Sequence, residues 1–292
     1  MVLPVPPGGL QDSLARAIAR ELSKAWGQNV LIENRPGAGG IVAAEVVAKS
    51  APDGYSILMA DAVPLVNNLF LRRNLPYDPV KDFAPMIALA QSSSVLVTNL
   101  NFPANTIQEL IAFARTRPGE VNYGSYGLGS FTHVETEDFC KLVGIKLTHI
   151  PYKGGAEILP ALLSGQIAIA FTGVPSTLAA LRQKQVKAIA YGGAQRSSAL
   201  PELPTVAEAG VAGFEWRTWF GLVVRAATPR PILDRMAADV GRVIAEPAFR
   251  DKFIVGVGLE PFNLGPDAFA ELLSTNRKSF AAMLKRVDVH LE

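Results

Sequence analysis

The chain has few of the residues on which metal binding and covalent stabilisation usually depend. Its 292 residues include one cysteine, Cys140, and three histidines, so neither a disulfide framework nor a thiolate metal site can form within it. Cys140 lies on an apolar helical pattern and is predicted to be a buried structural thiol. His133, His149 and His290 fall in different predicted elements without the spacing of metal ligands, which argues against a metal site.

Long apolar runs, strong charge and catalytic motifs are missing as well. No apolar run reaches the ~18–20 residues that a membrane-spanning helix needs. The formal net charge of +2 is too small and too evenly spread for a nucleic-acid-binding stripe, so no nucleic-acid partner is expected. The sequence has no Gly-x-Ser-x-Gly elbow, no phosphate-binding Gly-x-x-x-x-Gly-Lys-Ser/Thr loop and no His-Glu-x-x-His motif. These absences argue against the common catalytic classes.

Glycine-rich corners after predicted strands are the most informative feature that is present. A predicted strand at Met1–Val5 leads into Gly8-Gly9, with Asp12 at a predicted helix N-cap. A second strand at Val30–Ile32 leads into Gly37–Gly40. Glycines at such corners permit φ > 0 and leave amide N–H groups bare at the start of a helix. Two corners at the carboxyl ends of neighbouring strands predict a crevice for a carboxylate or phosphate.

The pattern of strand, glycine corner and helix recurs in the second half of the chain. Corners are predicted at residues 124–130, 152–155 and 172–176, and a capping box of Thr106 and Glu109 opens the helix before them. The glycines at positions 124, 127 and 129 have the reverse spacing of a dinucleotide fingerprint, and no acidic residue follows at the expected place. The sequence therefore predicts a second α/β unit without a Rossmann site.

The length favours two domains, and the order of elements places their boundaries. The run Trp219–Val224 reads as a strand that carries the chain out of the second unit, and the helical segment after it is expected to pack back onto the first. One lobe is therefore predicted at residues 1–98 plus 225–292 and the other at 99–224, with a ligand cleft between them. Trp216 and Trp219 fit either hinge packing or a ligand platform. Arg217, between them, fits either a carboxylate clamp or a solvated side chain.

Six stretches carry a resemblance to a known family. They are Pro6-Pro7-Gly8-Gly9 with Asp12; Glu33-Asn34-Arg35-Pro36-Gly37-Ala38-Gly39-Gly40; Pro52-Asp53-Gly54-Tyr55; Tyr123-Gly124-Ser125 through Gly129-Ser130 with His133; His149-Ile150-Pro151-Tyr152-Lys153-Gly154; and Leu203-Pro204-Thr205-Val206-Ala207-Glu208-Ala209-Gly210. With these stretches the chain resembles, along essentially its whole length, the substrate-binding proteins of the tripartite tricarboxylate transporter family, also called Bug receptors.

The resemblance implies a two-lobed α/β periplasmic-binding-protein fold of type II, a Venus flytrap. It implies a receptor that closes over a small carboxylate and delivers it to membrane permease subunits, without a cofactor, a metal or chemistry. The expected ligand-binding residues are Gly8, Gly9, Gly39, Gly40 and Asp61 on the first lobe, and Tyr126, Ser130, Tyr152, Thr172 and Gly173 on the second. A monomer in the periplasm is expected, with a signal peptide already removed and Leu291-Glu292 a possible cloning remnant.

Two alternatives remain beside this interpretation. One is an enzyme whose catalytic pair, for example Asp61 and His133, converges only in three dimensions; the other is a receptor that feeds a sensor protein. The chain departs from many relatives at Thr172-Gly173, where those have Asp-Asn or Asp-Ser. Because an enclosed ammonium group needs a negative partner, this departure predicts a ligand without an amine.

Overall fold

The computed structural model describes residues 1–287, which divide into two compact units. The first unit contains residues 1–91 and 219–282, and the second contains residues 92–218 and 283–287. His290 and the closing Leu291-Glu292 lie outside the described residues.

Strands and helices alternate through both units. The strands are β1 (Val2–Leu3), β2 (Glu33–Asn34), β3 (Ile57–Ala60), β4 (Phe83–Ser92), β5 (Ser94–Thr98), β6 (Asn122–Ser125), β7 (Thr148–Pro151), β8 (Ile169–Gly173), β9 (Lys187–Tyr191), β10 (Thr218–Arg225) and β11 (Glu260–Leu264). The helices are α1 (Leu10–Trp26), α2 (Ile41–Ala48), α3 (Asn68–Leu71), α4 (Ile107–Arg115), α5 (Phe131–Val143), α6 (Gly155–Leu163), α7 (Val174–Arg182), α8 (Arg230–Ala245), α9 (Pro247–Phe253) and α10 (Pro266–Leu284).

The first unit is built on a six-stranded sheet in the order β2-β1-β3-β10-β4-β11. β1 is parallel to both β2 and β3, whereas β10 is antiparallel to β3 and β11 is antiparallel to β4. The apolar positions Leu14, Ile18 and Leu22, which follow Asp12, predict the buried face of helix α1. In the structure this face covers the sheet, and the three residues are almost completely buried.

The second unit is built on a five-stranded sheet in the order β7-β6-β8-β5-β9. β6 is parallel to β7 and β8, and β5 is antiparallel to β8 and β9. Phe139, Phe171 and Phe214 form an aromatic cluster in its core, with ring centroids 5.6–5.9 Å apart. Cys140, which follows Phe139 in the sequence, is buried, as predicted.

The predicted lobe boundaries at 98 and 225 differ from this division. β5 pairs with β8 and β9, so it belongs to the second sheet. β10 pairs residue by residue with β3, from Gly221 opposite Ala60 to Val224 opposite Ile57, so it belongs to the first. Strand pairing, which composition does not reveal, decides where each unit ends.

Several local predictions also change. Val30–Ile32 is not a strand; β2 is Glu33–Asn34, because the pairing of Glu33 with Val2 fixes its place on the sheet. The Thr-x-x-Glu pattern of Thr205 and Glu208 predicts a capped short helix. The two hydrogen bonds of the capping box do form, at 2.9 and 3.0 Å, but in a turn and not in a helix. The predicted capping box at Thr106 does begin a helix, where the Glu109 N–H donates to the threonine hydroxyl.

Candidate functional site

Three loops of the first unit meet at one edge of its sheet. Because β2 and β3 both run parallel to β1, the carboxyl ends of the three strands lie at the same edge of the sheet. Residues 4–9 follow β1, residues 35–40 follow β2, and Asp61 follows β3 directly. The five ligand-binding residues predicted for the first lobe lie on these loops, and the structure brings all three loops to this edge.

The first glycine corner is exposed and open. A Cβ atom added at Gly8 or Gly9 would meet nothing within 4 Å. Gly8 has φ +92°, which L side chains rarely adopt, whereas Gly9, the N-cap of α1, has φ −77° and ψ 174°, which any residue adopts. The first-turn amides of α1 have no acceptor within the helix, and the space beside Gly8 and Gly9 is open.

Asp12 fixes this corner, although it is not the N-cap that the sequence predicted. It lies inside the first turn of α1, and its carboxylate accepts hydrogen bonds from Arg16 Nε at 2.8 Å, Gly8 N at 3.0 Å and Asn34 Nδ2 at 2.9 Å. These bonds lower the pKa of Asp12 to about 2, and the bond from Arg16 has the largest effect. The Gly8 amide is therefore already occupied, and Asn34 connects the first corner to the second.

The second glycine corner is packed more tightly. A Cβ atom on Gly40 would lie 3.2 Å from Pro4 Cβ and 3.3 Å from Pro64 Cβ, and the Gly40 N–H donates to Gly37 O at 2.9 Å. Gly39 has φ +63° and is exposed, and its carbonyl accepts from Asn68 Nδ2 at 2.9 Å. Close packing therefore leaves little room for a side chain at Gly40, whereas Gly39 is accessible to solvent.

Asp61 is half-buried at the end of β3. Its carboxylate accepts a hydrogen bond from the Val63 N–H at 2.8 Å. Burial raises the pKa of Asp61 above its ordinary value, and the bond from Val63 opposes this shift. The side chain is fixed at the edge where the first unit's loops meet.

The parallel strands β6, β7 and β8 bring the second unit's predicted residues to one edge in the same way. The Tyr126 hydroxyl accepts a hydrogen bond from the Gly173 N–H at 2.9 Å and lies 2.7 Å from Thr172 Oγ1. Thr172 has no exposed surface. The hydroxyls of Tyr126 and Thr172 and the Gly173 amide therefore satisfy one another, and the ring of Tyr126 lies at this edge as an apolar surface.

Ser130 is also used within the protein. It is the N-cap of α5: its hydroxyl accepts from the His133 N–H at 3.3 Å and donates to Gly127 O at 2.7 Å. Tyr152 is held through its main chain, where its N–H donates to Ser125 O at 3.0 Å. A residue that the sequence analysis did not single out is the exposed Ser176, whose Oγ lies 3.3 Å from the position of a Cβ on Gly155.

The tryptophans and Arg217 have structural partners. Trp219 is buried, packs edge-on against Phe269 with centroids 5.0 Å apart, and donates from Nε1 to Asn276 Oδ1 at 2.8 Å. The Trp216 carbonyl accepts from the Ser93 hydroxyl. Arg217 forms a half-exposed ion pair with Glu215 at 2.8 Å. These contacts agree with the packing interpretation of the Trp pair.

Comparison with known proteins identifies the family. The model of the tripartite tricarboxylate transporter family receptor matches residues 14–289. The chain belongs to this receptor family. Bordetella pertussis protein BugT is 32% identical to the receptor over 293 residues, covering 100% of this chain and 90% of BugT.

Solved structures of similar proteins confirm the α/β periplasmic-binding-protein fold. Rpa4515 of R. palustris, solved with adipate, has a TM-score of 0.91 at 32% identity and covers 98% of the receptor and 96% of its own chain. MatC from Rhodopseudomonas palustris with bound malate has a TM-score of 0.87 at 29% identity, with 97% of both chains covered. The periplasmic binding protein BugD has a TM-score of 0.89 at 29% identity, covering 100% of the receptor and 98% of BugD.

The family consists of solute-binding receptors, which fits the open glycine corner of the first unit. Within residues 1–287, no helix is long and apolar enough to cross a membrane. In that same range no group of three or more His, Cys, Asp and Glu side chains is placed to hold a metal ion.

Proposed function

We propose that this receptor captures a small carboxylate without an amine group in the periplasm, as a monomer, and delivers it to membrane permease subunits without chemical change. The observation that carries the proposal is the open corner at Gly8 and Gly9, which precedes first-turn amides of α1 that have no acceptor within the helix. Such amides, together with the helix dipole, stabilise an anion. Similar proteins solved with adipate and malate support the same ligand class.

The absence of a carboxylate at position 172 supports a ligand without an amine. Thr172 is buried and satisfied by Tyr126, so it offers no charge to an ammonium group. Desolvating an unpaired ammonium costs several kcal/mol, which would remove most of a micromolar affinity of about 8.2 kcal/mol. Asp61 is the acid that would have to compensate, because the other acid at the first unit's edge, Asp12, is already held by Arg16, Gly8 and Asn34.

The state of His133 supports binding without chemistry. Its Nδ1 accepts a hydrogen bond from the Gly129 N–H at 3.1 Å, so the proton of the neutral ring is on Nε2. Neither nitrogen then has a free lone pair with which to abstract a proton from a ligand. This argues against a pair of Asp61 and His133 acting as general acid and base.

Calorimetry with aspartate and glutamate beside succinate, adipate, citrate and benzoate tests the proposal. We expect at least one plain carboxylate to bind and both amino acids to bind more weakly than it. Tighter binding of either amino acid than of every plain carboxylate would contradict the ligand class. Recovery of a chemically altered ligand after incubation would contradict a receptor without chemistry.

A further inference from the structure

Two histidine rings stack directly beneath the glycine loop of the second unit. His133 on α5 and His149 on β7 have ring centroids 4.1 Å apart and an interplanar angle of 18°. The Tyr123 ring stacks on His149 at 4.9 Å. The proposed function uses no chemistry from these rings, yet both are hydrogen-bonded to residues 125–129 of the loop.

His133 holds the loop through a bond that requires a neutral ring. The Gly129 N–H donates to His133 Nδ1 at 3.1 Å, which needs a lone pair on that nitrogen. A protonated imidazole has N–H groups at both positions and accepts at neither. Protonation of His133 at Nδ1 and the bond from Gly129 therefore exclude each other. The side chain is only 7% exposed, so water cannot readily replace this bond.

His149 differs, because its partner is a hydroxyl. His149 Nε2 lies 2.6 Å from Ser125 Oγ, and Ser125 Oγ also accepts from the Gly127 N–H at 3.1 Å. A serine hydroxyl both donates and accepts. The contact between His149 and Ser125 can therefore persist whether or not His149 is protonated, and only His133 couples its charge directly to the loop.

The surroundings keep both rings neutral at ordinary pH. Burial lowers the pKa of His133 to about 4. Burial, and then the charge of His133, lower the pKa of His149 to about 4, although Glu137 opposes this. Glu137 accepts from the Tyr123 hydroxyl at 2.6 Å, and Cys140 on the same helix is an uncharged thiol whose pKa is raised by burial.

We propose that His133 is a positioning residue for the ligand loop Tyr126–Ser130: its neutral ring fixes the Gly129 amide, and protonation of the ring releases this amide from its place in the loop and weakens ligand capture. The inference rests on the proposed function, in that it takes this loop to contact the carboxylate. It predicts that acid weakens binding through a group that does not touch the ligand.

The test compares wild type with His133→Asn and His133→Ala, using adipate as the probe at pH 7, 5, 4 and 3.5. Asparagine places an amide oxygen near the position of Nδ1 and accepts a hydrogen bond, but it does not titrate in this range. At pH 7 we expect His133→Asn to bind within about threefold of wild type and His133→Ala at least tenfold more weakly. At pH 3.5 wild type should have lost about fourfold more affinity than His133→Asn, since about a quarter of its rings remain neutral.

Adipate itself takes up protons in this range, but it does so equally with both proteins, so the ratio of their affinities isolates His133. Equal pH profiles for wild type and His133→Asn would overturn the inference, as would full affinity in a folded His133→Ala protein. His149→Gln keeps a polar group beside Ser125 and removes the positive charge that a protonated His149 would carry. Because that charge opposes the protonation of His133, the variant should lose affinity for adipate at a higher pH than wild type does.

A measurement without ligand separates this inference from the proposed function. The NMR signal of the Gly129 amide should shift with a midpoint near pH 4 in wild type and stay fixed in His133→Asn. If succinate, adipate, citrate and benzoate all fail to bind at pH 7, that result counts against the proposed function, and the Gly129 signal still decides whether His133 controls the Gly129 amide. A Gly129 amide that does not respond to pH in wild type overturns the inference.

Discussion

Replacing Gly9 with valine should separate ligand binding from stability at the first glycine corner. Gly9 already has φ −77° and ψ 174°, and a Cβ there meets nothing within 4 Å, so the substitution adds no backbone strain or clash. Replacing a glycine N-cap with valine costs about 1 kcal/mol, and the reduced freedom of the unfolded chain offsets this cost by about 0.4–1 kcal/mol. We expect the free energy of unfolding to change by less than about 1 kcal/mol.

The effect on binding should be much larger. The valine methyl groups would occupy the open space beside Gly9 at the start of α1, where we place the carboxylate. Each hydrogen bond to a charged group contributes about 1.5–3 kcal/mol, so the loss of two corresponds to at least about a hundredfold in Kd. Calorimetry with adipate measures Kd, and urea unfolding followed by circular dichroism measures stability.

Two other glycines provide matched controls. Gly265 precedes α10 in the same unit and also has open space around a Cβ, so Gly265→Val should leave Kd unchanged. Gly27, at the opposite end of α1, has φ +65°, so Gly27→Ala should cost about 1–3 kcal/mol of stability without affecting Kd. A folded Gly9→Val protein with wild-type affinity would remove the first corner from the ligand site and refute the reasoning.

Two further predictions concern buried polar groups of the second unit. Burial raises the pKa of Glu135 to about 8, above its ordinary 4.5, so between these values the folded state keeps a proton that the unfolded state has lost, and stability falls as pH rises. Glu135→Gln should abolish this fall, so between pH 5 and 8 the free energy of unfolding of the variant, measured with urea, should rise relative to wild type by on the order of 1 kcal/mol per pH unit. If the free energies of unfolding of the two proteins change in parallel with pH, the carboxyl is not protonated in the folded state. Tyr126→Phe should lower the free energy of unfolding by about 1–3 kcal/mol, because it leaves the buried Thr172 hydroxyl unpaired. Tyr55→Phe, at an 88% exposed position, should not change it measurably. An equal loss of stability in both variants would contradict the role assigned to Tyr126.

Local sequence was sufficient for features that depend on residues a few positions apart. The Thr106 capping box, the amphipathic face of α1 and the burial of Cys140 were predicted where the structure has them. Glycine-rich corners were predictable because φ > 0 is a requirement on single residues. The family resemblance was carried by the same short stretches, and the family match confirms it.

Only the tertiary structure decided which polar groups of those corners are already used. The Tyr126 hydroxyl meets Thr172, 46 positions away, and a Cβ on Gly40 would be confined by Pro4 and Pro64. β11 was missed because its partner, β4, is far away in the sequence. Hydrogen bonds and close packing between distant segments depend on how the chain returns to the same place, and no local pattern encodes that return. The sequence alone therefore determined where donors are available along the chain, and the fold determined which of them a ligand can still reach.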